Sequence, residues 1–235
     1  MALPPDATVP TTPFWQALEA AVPEAELAPP WRQGLPVRLP CGRVLRLPIR
    51  VRPGDGSRAV ASLIANQAAF PVVDALVEAM RPLVQSWEPD AIVGLPTLGM
   101  VFAAPLARAL GHPRWVPLGY SRKYWYDDAL SESVVSITSP DAGKRLYVDP
   151  NQLSLLDGRR VVLIDDAVST GATLVRAWHL LERCGADVLG CAVAMRQGAV
   201  WRSTLGPERA SRVRGVFDTP LLQLGADGWW PQAPA

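Results

Sequence analysis

Between about residue 57 and residue 200, the spacing of the apolar positions changes several times along the chain. A helix is predicted over residues 70–80, because apolar side chains recur there at helical intervals. Residues 91–94 are a short apolar run that is typical of a buried strand. Helical spacing returns from Met100 to Ala107, where Pro105 is expected to bend the helix. Strand and helix therefore alternate in this stretch.

The alternation continues towards the C-terminus. Residues 115–118 are a candidate second strand, and residues 161–164 are four consecutive aliphatic residues, the pattern of a parallel strand buried on both faces. Residues 173–184 have helical spacing and stop before Gly185, and residues 188–195 return to a strand. This order predicts an α/β fold with a central, mostly parallel sheet flanked by helices. Such sheets bind ligands at the carboxyl ends of their strands.

The N-terminal region has weaker patterns. Residues 1–34 are rich in Pro and Ala and are expected to form an arm with one short helix around residues 14–21. Residues 35–39 and 44–51 alternate apolar and polar side chains around a Cys-Gly-Arg turn, which predicts a hairpin.

The C-terminal residues from 201 onwards give few signals. The end of the chain is expected to be ordered only if Trp229 and Trp230 find a surface. We therefore predict three regions, which are an arm and hairpin over 1–52, a main domain over 53–225 and a tail over 226–235.

Composition and charge exclude several classes of protein. Hydrophobic residues make up 49% of the chain and charged residues 19%, so the chain is globular rather than disordered. A formal charge of +1 argues against nucleic-acid binding, and the absence of a Lys/Arg cluster argues against binding to a membrane surface. The uncharged stretch over residues 91–107 is broken by Gly and Pro, which favours a strand, loop and helix over a membrane span. Three cysteines without metal-ligand spacing and no apparent signal peptide favour a reduced, cytoplasmic protein.

The segment VVLIDDAVSTGAT over residues 161–173 carries the clearest chemistry. A buried strand runs into two carboxylates, Asp165 and Asp166, and a loop of small and hydroxyl residues leads into a helix: Ala167, Val168, Ser169, Thr170, Gly171, Ala172 and Thr173. Loop amides and a helix N-terminus suit a phosphate dianion. The carboxylates suit vicinal hydroxyls and a divalent cation nearby. Phosphate plus diol describes ribose 5-phosphate.

Other interpretations of this segment are weaker. Asp165 and Asp166 could merely cap the loop and the helix, but the full order of strand, acid pair, hydroxyl loop and helix favours a functional site. A nucleotide-binding P-loop is excluded because no Lys follows the glycine, and a dinucleotide fingerprint is excluded because G-x-G-x-x-G is missing.

The same segment resembles the phosphoribosyl-pyrophosphate (PRPP) motif of the type I purine/pyrimidine phosphoribosyltransferases, and the resemblance extends over about residues 57–200. Thr97, Leu98 and Gly99 are similar to that family's pyrophosphate loop, and Arg122 and Lys123 resemble its phosphate-binding basic pair. Residues 124–144 resemble its mobile loop. The resemblance implies the type I phosphoribosyltransferase fold, here with an N-terminal hairpin or arm and a small hood region.

Within the family, the chain resembles the adenine/xanthine branch and its relative, the purine repressor. The Arg-Lys pair, the stretch 62–67 and the segment Ser136-Ile137-Thr138 carry this likeness. By this resemblance Asn66, Gln67 and Trp125 are candidates for binding the base. Alternatively, Asn66 and Gln67 are ordinary polar residues at the start of a helix, and Trp125 anchors the loop by packing. Two departures are Ala172, where a second Gly is frequent, and Leu98, where a cationic or small residue is common.

The family resemblance implies transfer of ribose 5-phosphate from PRPP to a purine base, with Asp165, Asp166 and Lys123 as catalytic residues. Mg²⁺ is expected as cofactor, held through PRPP rather than by protein ligands alone. The alternative is a non-catalytic regulator that binds PRPP or a guanosine polyphosphate. The implied partners are PRPP and a purine base, without nucleic acid or membrane, in a homodimer.

Overall fold

The computed structural model describes residues 13–136 and 139–233, with no account of the side chains of residues 135–143. In chain order the strands are β1 (Gly34–Arg38), β2 (Val44–Val51), β3 (Arg58–Ala61), β4 (Ala91–Gly94), β5 (Val116–Pro117), β6 (Ser131–Ser136), β7 (Ser139–Tyr147), β8 (Arg160–Val168), β9 (Asp187–Gln197), β10 (Val213–Thr219), β11 (Leu221–Leu224) and β12 (Trp229–Pro231). The helices are α1 (Glu24–Leu27), α2 (Phe70–Gln85), α3 (Gly99–Ala109), α4 (Ala172–Arg183) and α5 (Val200–Ser211).

The central sheet has the strand order β10-β9-β8-β4-β5, and all four of its strand pairs are parallel. The aliphatic run in β8 alternates between the two faces. Val162 and Ile164 join one apolar cluster with α2 and α3, and Val161 and Leu163 join a second cluster with α4 and α5. Because both faces are covered, the strand needs apolar residues at every position. The predicted α/β fold is confirmed.

The predicted elements of this domain are present, with changed ends. Helix α2 continues past the predicted residue 80 to Gln85, and β8 continues through the acid pair to Val168 because its pairing with β9 extends that far. The uncharged stretch over residues 91–107 forms β4, a loop and most of α3. No helix in the described ranges is long and apolar enough to cross a membrane.

A second, antiparallel sheet has the order β1-β2-β3-β11-β12, and we call it the hood sheet. The predicted hairpin is confirmed as β1 and β2, which pair from Gly34 with Pro48 to Arg38 with Val44. The predicted helix over residues 14–21 is wrong. Trp15 has φ of 60°, which is outside the right-handed helical region, and Glu19 bridges to Val44 instead.

The C-terminal segment completes the hood sheet. Trp229 is 1% exposed and pairs with Leu224, while its backbone also bridges to Trp31 of the N-terminal arm. One of the two tryptophans has therefore found an internal surface, and Trp230 stays half-exposed. The three-region division at residues 52/53 and 225/226 stays a prediction.

Strands β6 and β7 form a separate two-stranded antiparallel ribbon, which packs against α4. Most of the predicted mobile loop over residues 124–144 lies in this ribbon and in the turn before it. Ile137 and Thr138, which the sequence predicted to lead into the next strand, lie outside the described residues.

Candidate active site

The two carboxylates lie at the carboxyl end of β8, in the middle of the central sheet. The backbone N–H of Asp166 donates to Oδ1 of Asp165 at 2.9 Å. Burial raises the pKa of Asp165 well above its ordinary range, and the neighbouring charge of Asp166 raises it further. Burial is also the main cause that raises the pKa of Asp166. Two desolvated acids side by side are therefore destabilised as anions in the free protein.

A cavity of about 210 Å³ opens directly beside Asp165. Its lining combines the loop after β8, the start of α4 and one residue of β9: Asp165, Ala167, Val168, Ser169, Thr170, Gly171, Ala172, Thr173, Leu174 and Val193. Every predicted phosphate-loop residue is in this lining. The amides at a helix start and three hydroxyls make this cavity suited to a phosphate group.

Gly171 explains the shape of that loop. Its φ of 80° is left-handed, and a Cβ at this position would lie 3.2 Å from Cα of Trp201. The backbone N–H of Trp201 in turn donates to the carbonyl of Ser169 at 3.2 Å. The fully buried Trp201 thus packs against one side of the loop over residues 167–173. The other side of this loop faces the cavity.

The predicted pyrophosphate loop lies against the acid pair. The backbone N–H of Leu95 donates to the carbonyl of Ile164 at 2.9 Å, and Gly99 is in contact with the backbone of Asp165. The peptide bond between Pro96 and Thr97 is cis. Leu98 packs on the apolar core. The loop is thus held beside Asp165 by the neighbouring parallel strands β4 and β8, and none of its residues is in the cavity lining.

The predicted basic pair is exposed, and among the described residues no hydrogen bond or ion pair joins it to Asp165 or Asp166. Nε of Arg122 donates to Oδ1 of Asp128 at 2.8 Å, and its Nη2 reaches the carbonyl of Tyr126 at 3.4 Å. The backbone carbonyl of Lys123 closes the same turn through the N–H of Tyr126. The structure therefore places this pair in a turn outside the cavity lining.

The tentative base-binding residues lie apart from the cavity lining. Asn66 and Gln67 are exposed in a short 3-10 helix, and the side chain of Gln16 donates to the carbonyl of Gln67 at 3.0 Å. Trp125 is 47% exposed and donates through its indole N–H to Asp149 at 3.5 Å.

The aromatic residues around Trp125 contact one another. The Tyr124 and Tyr126 rings lie edge-on to the Trp125 ring, with centroids at 4.8 and 5.9 Å. These contacts give Trp125 a packing role in the turn.

The profile of the phosphoribosyl transferase domain matches residues 59–212, which is more than half of the chain. The chain belongs to this family. It is 31% identical to adenine phosphoribosyltransferase of Rhodospirillum centenum over 151 residues, covering 61% of this chain and 78% of the relative. It is 32% identical to the Thermobifida fusca enzyme of the same name over 153 residues, covering 65% and 81%. The resemblance drawn from the sequence is confirmed, and the protein is a phosphoribosyltransferase enzyme.

Solved structures give the same fold. The adenine phosphoribosyltransferase of Rhodothermus marinus superposes with a TM-score of 0.53 at 22% identity, covering 64% of this chain and 81% of that one. The Giardia lamblia enzyme, complexed with 9-deazaadenine, gives 0.53 at 21% identity, covering 63% and 80%. The phosphoribosyltransferase profile begins after β1 and β2, so the arm and the hairpin lie outside the matched residues.

One residue beside the phosphoribosyltransferase site was missed from the sequence. Tyr120 follows β5, where burial raises the pKa of its phenol and the negative charges of Asp165 and Asp166 raise it further. A single Tyr after a two-residue strand gives no periodic signal. Its position at the carboxyl end of a sheet strand was the only available indication.

Proposed function

We propose that this phosphoribosyltransferase transfers the ribose 5-phosphate group of PRPP to adenine and releases pyrophosphate. The observation that carries the proposal is the pair Asp165 and Asp166 at the end of β8, between a phosphate-type loop and the loop that contains Gly99. The choice of adenine rests on the names of the similar curated enzymes.

Asp165 and Asp166 are assigned to the ribose. Their carboxylate oxygens accept hydrogen bonds from the two ring hydroxyls. As the bond from the anomeric carbon to pyrophosphate breaks, the sugar gains positive charge, and this charge relieves the repulsion and desolvation that raise the pKa of both acids in the free protein. The stabilisation is therefore greater in the transition state than in the bound substrate.

The loop from Ala167 to Thr173 is assigned to the 5-phosphate. Backbone amides at the start of α4 and the hydroxyls of Ser169, Thr170 and Thr173 supply donors, and the helix N-terminus adds positive partial charge. Ala172 occupies one position of this loop and lines the cavity.

Pyrophosphate is assigned to the backbone of Thr97, Leu98 and Gly99, together with Arg122 and Lys123. Arg122 has to exchange its ion pair with Asp128 for a phosphate oxygen, which requires a movement of the exposed turn. Lys123 acts as the mobile point charge that follows the leaving group. Closure of the turn and ribbon over the site would exclude water from the anomeric carbon.

Mg²⁺ fits the chemistry of these donors as a cation shared with PRPP. No group of three or more His, Cys, Asp and Glu side chains suited to a metal occurs in the described parts of the chain, whereas Asp165 and Asp166 offer the oxygen ligands that Mg²⁺ prefers alongside substrate oxygens. When bound, the ion neutralises charge on the pyrophosphate.

Asn66, Gln67 and Trp125 are assigned to the base on the family resemblance of the sequence. A substitution Asn66→Ala is expected to raise the KM for adenine while the KM for PRPP stays unchanged. Equal effects on both constants would instead indicate a structural role for this polar residue.

The proposal is tested by incubating the protein with Mg²⁺ and PRPP and adding adenine, hypoxanthine, guanine, xanthine, orotate or uracil separately. Pyrophosphate release and nucleotide formation are expected with adenine. Turnover with another base alone would change the assigned substrate. Absence of turnover with every base, combined with tight PRPP or guanosine polyphosphate binding by calorimetry, would support the regulatory alternative instead.

A cytoplasmic location and a homodimer are further parts of the proposal. The described cysteines are all free thiols, which agrees with a reducing compartment. Light scattering after size-exclusion chromatography measures the mass in solution, and a value near 25.4 kDa would contradict the homodimer.

A further inference from the structure

The stretch over residues 62–69 connects β3 of the hood sheet to helix α2. Its buried residues belong to the apolar cluster that also includes α2 and α3, while Asn66 and Gln67 are exposed. The 3-10 helix that contains these two residues contacts α3. Helix α3 begins at Gly99, which lies against Asp165. The residues assigned to the base therefore lie beside the helix that starts at the acid pair.

The N-terminal arm holds both ends of this stretch. The indole N–H of Trp15 donates to the carbonyl of Ser62 at 3.1 Å. At the other end, the backbone N–H of Ala69 donates to the carbonyl of Trp15 at 2.9 Å. Trp15 is only 2% exposed, so packing fixes the indole in this position. One residue of the arm therefore bridges the first and the last residue of the stretch.

The next residue of the arm, Gln16, holds the middle of the stretch. Its Nε2 donates to the carbonyl of Gln67 at 3.0 Å and to the carbonyl of Phe14 at 3.0 Å. The second bond keeps the exposed side chain against the arm. The backbone of Gln67 is thus fixed by a side chain from the arm.

The arm lies outside the phosphoribosyltransferase profile, which begins at residue 59. Its hydrogen bonds to the stretch over residues 62–69 are therefore contacts that the matched domain does not supply by itself. A segment that is ordered before its ligand arrives does not pay the cost of ordering in the binding step. Contacts of this kind improve affinity for the ligand of the segment and leave other subsites unaffected.

We propose that Trp15 and Gln16 are positioning residues for base recognition, which hold the stretch over residues 62–69 so that Asn66 and Gln67 can contact the base. This inference rests on the proposed function. The phosphate subsite is built from β8, α4 and the loop between them, and the arm is not part of that lining. The arm therefore acts on the affinity for the base and not on the affinity for PRPP.

The test uses Gln16→Glu, which keeps the size and shape of the side chain. A carboxylate only accepts hydrogen bonds, so both bonds donated by Nε2 are lost. Because Gln16 is exposed, the fold is expected to stay intact. The matched control is Gln33→Glu, which makes the same change at another exposed position of the arm. The side chain of Gln33 has no hydrogen-bond partner among the described residues.

Gln16→Glu is expected to raise the KM for adenine by about two- to tenfold, the factor that corresponds to one hydrogen bond. The KM for PRPP and kcat should stay within about twofold, and Gln33→Glu should leave all three constants unchanged. Hydrogen–deuterium exchange followed by mass spectrometry should be faster over residues 62–69 in Gln16→Glu and unchanged over β8. A purely structural role would lower the Tm without separating the two KM values.

Trp15→Phe is a second variant, which keeps a buried ring but removes the N–H that Ser62 accepts from. The same pattern of KM values is expected, and partial unfolding does not hide it because KM is independent of the amount of active enzyme. An unchanged KM for adenine in both variants, equal rises of the two KM values, or the same rise in Gln33→Glu would overturn the inference.

The exchange measurement separates this inference from the proposed function. If the unaltered protein turns over no base, the proposed function fails, and the role of the arm in base recognition fails with it. If adenine is turned over but exchange over residues 62–69 is the same in Gln16→Glu and Trp15→Phe as in the unaltered protein, the positioning role is refuted while the function stands.

Discussion

Gly99 lies so close to Asp165 that no side chain fits between them. A Cβ on Gly99 would be 2.8 Å from Cα of Asp165 and 2.9 Å from its Oδ1, and 2.5 Å from the carbonyl oxygen of Ile164. These atoms belong to the backbone or to a confined carboxylate, so they cannot move aside at low cost. The loop assigned to pyrophosphate and the carboxylate of Asp165, which is assigned to the ribose, are therefore held in contact by the absence of one methyl group.

Gly99→Ala is expected to push the pyrophosphate loop away from β8 and to lower kcat/KM for PRPP by about a hundredfold, since a misplacement of about 1 Å costs roughly that factor. Steady-state kinetics checks this. The matched control is Gly119→Ala, because the nearest atom to a Cβ there is 4.0 Å away. Equal activity of the two alanine variants would refute the steric role of Gly99.

Asp166→Asn keeps the shape of the side chain but removes its charge. We expect turnover or PRPP affinity to fall at least tenfold, and a loss of transition-state stabilisation of about 3–4 kcal/mol would reduce the rate about a hundred- to thousandfold. Kinetics and PRPP titration measure both quantities. The circular dichroism spectrum should match that of the unaltered protein, and unchanged rate and affinity would refute the assignment.

Asp165→Asn is expected to stabilise the free protein at neutral pH although it impairs catalysis. The pKa of Asp165 is raised well above 3.8 in the folded state. A raised pKa means that the folded state holds the proton more tightly, so its contribution to stability is present at low pH and is lost as pH rises through the folded pKa. Asparagine does not titrate and avoids this loss.

Thermal unfolding at several pH values tests that expectation. The Tm of Asp165→Asn should exceed that of the unaltered protein by at least about 2 °C at pH 8, and the difference should shrink towards pH 4, where both side chains are neutral. A difference that is absent at pH 8, or that grows as pH falls, would contradict a desolvated carboxylate at this position.

Gln197 joins the central sheet to the hood sheet. Its buried side-chain amide donates to the carbonyl of Ala61 at 2.6 Å. Gln197→Leu leaves that carbonyl without its partner. The free energy of unfolding is expected to fall by about 1–3 kcal/mol, and the Tm by roughly 3–10 °C. Differential scanning calorimetry measures the change. Gln223→Leu, on an exposed position of β11, serves as control, and an equal Tm for the two variants would contradict the linking role.

The sequence was sufficient to predict those parts of the structure in which the contacts are local or repeat along one helix or strand. Four adjacent aliphatic residues predicted the buried strand β8, and helical spacing predicted α2 and α4. The order of acid pair, hydroxyl loop and helix predicted that Asp165 and Thr173 share one site. The cavity lining contains both residues, because a parallel strand and the helix after it keep that geometry over a few residues.

Prediction failed in the arm because long-range contacts override a weak local pattern. The expected helix over residues 14–21 would need right-handed backbone at Trp15, whose indole N–H instead donates to the carbonyl of Ser62 at 3.1 Å. A long-range contact also explains why the C-terminal end is ordered. The backbone of Trp229 bridges to the distant Trp31, and the Trp229 side chain is buried.

By itself, the sequence determined the α/β class, the family resemblance and the phosphoribose motif, since these depend on residue order and on periods of a few residues. Only the tertiary structure placed Gly99 against Asp165 and joined the side chain of Gln197 to the carbonyl of Ala61. The physical reason is that each of these pairs comes from separate elements, and their contact depends on how the sheets, helices and ribbon pack together rather than on any local pattern.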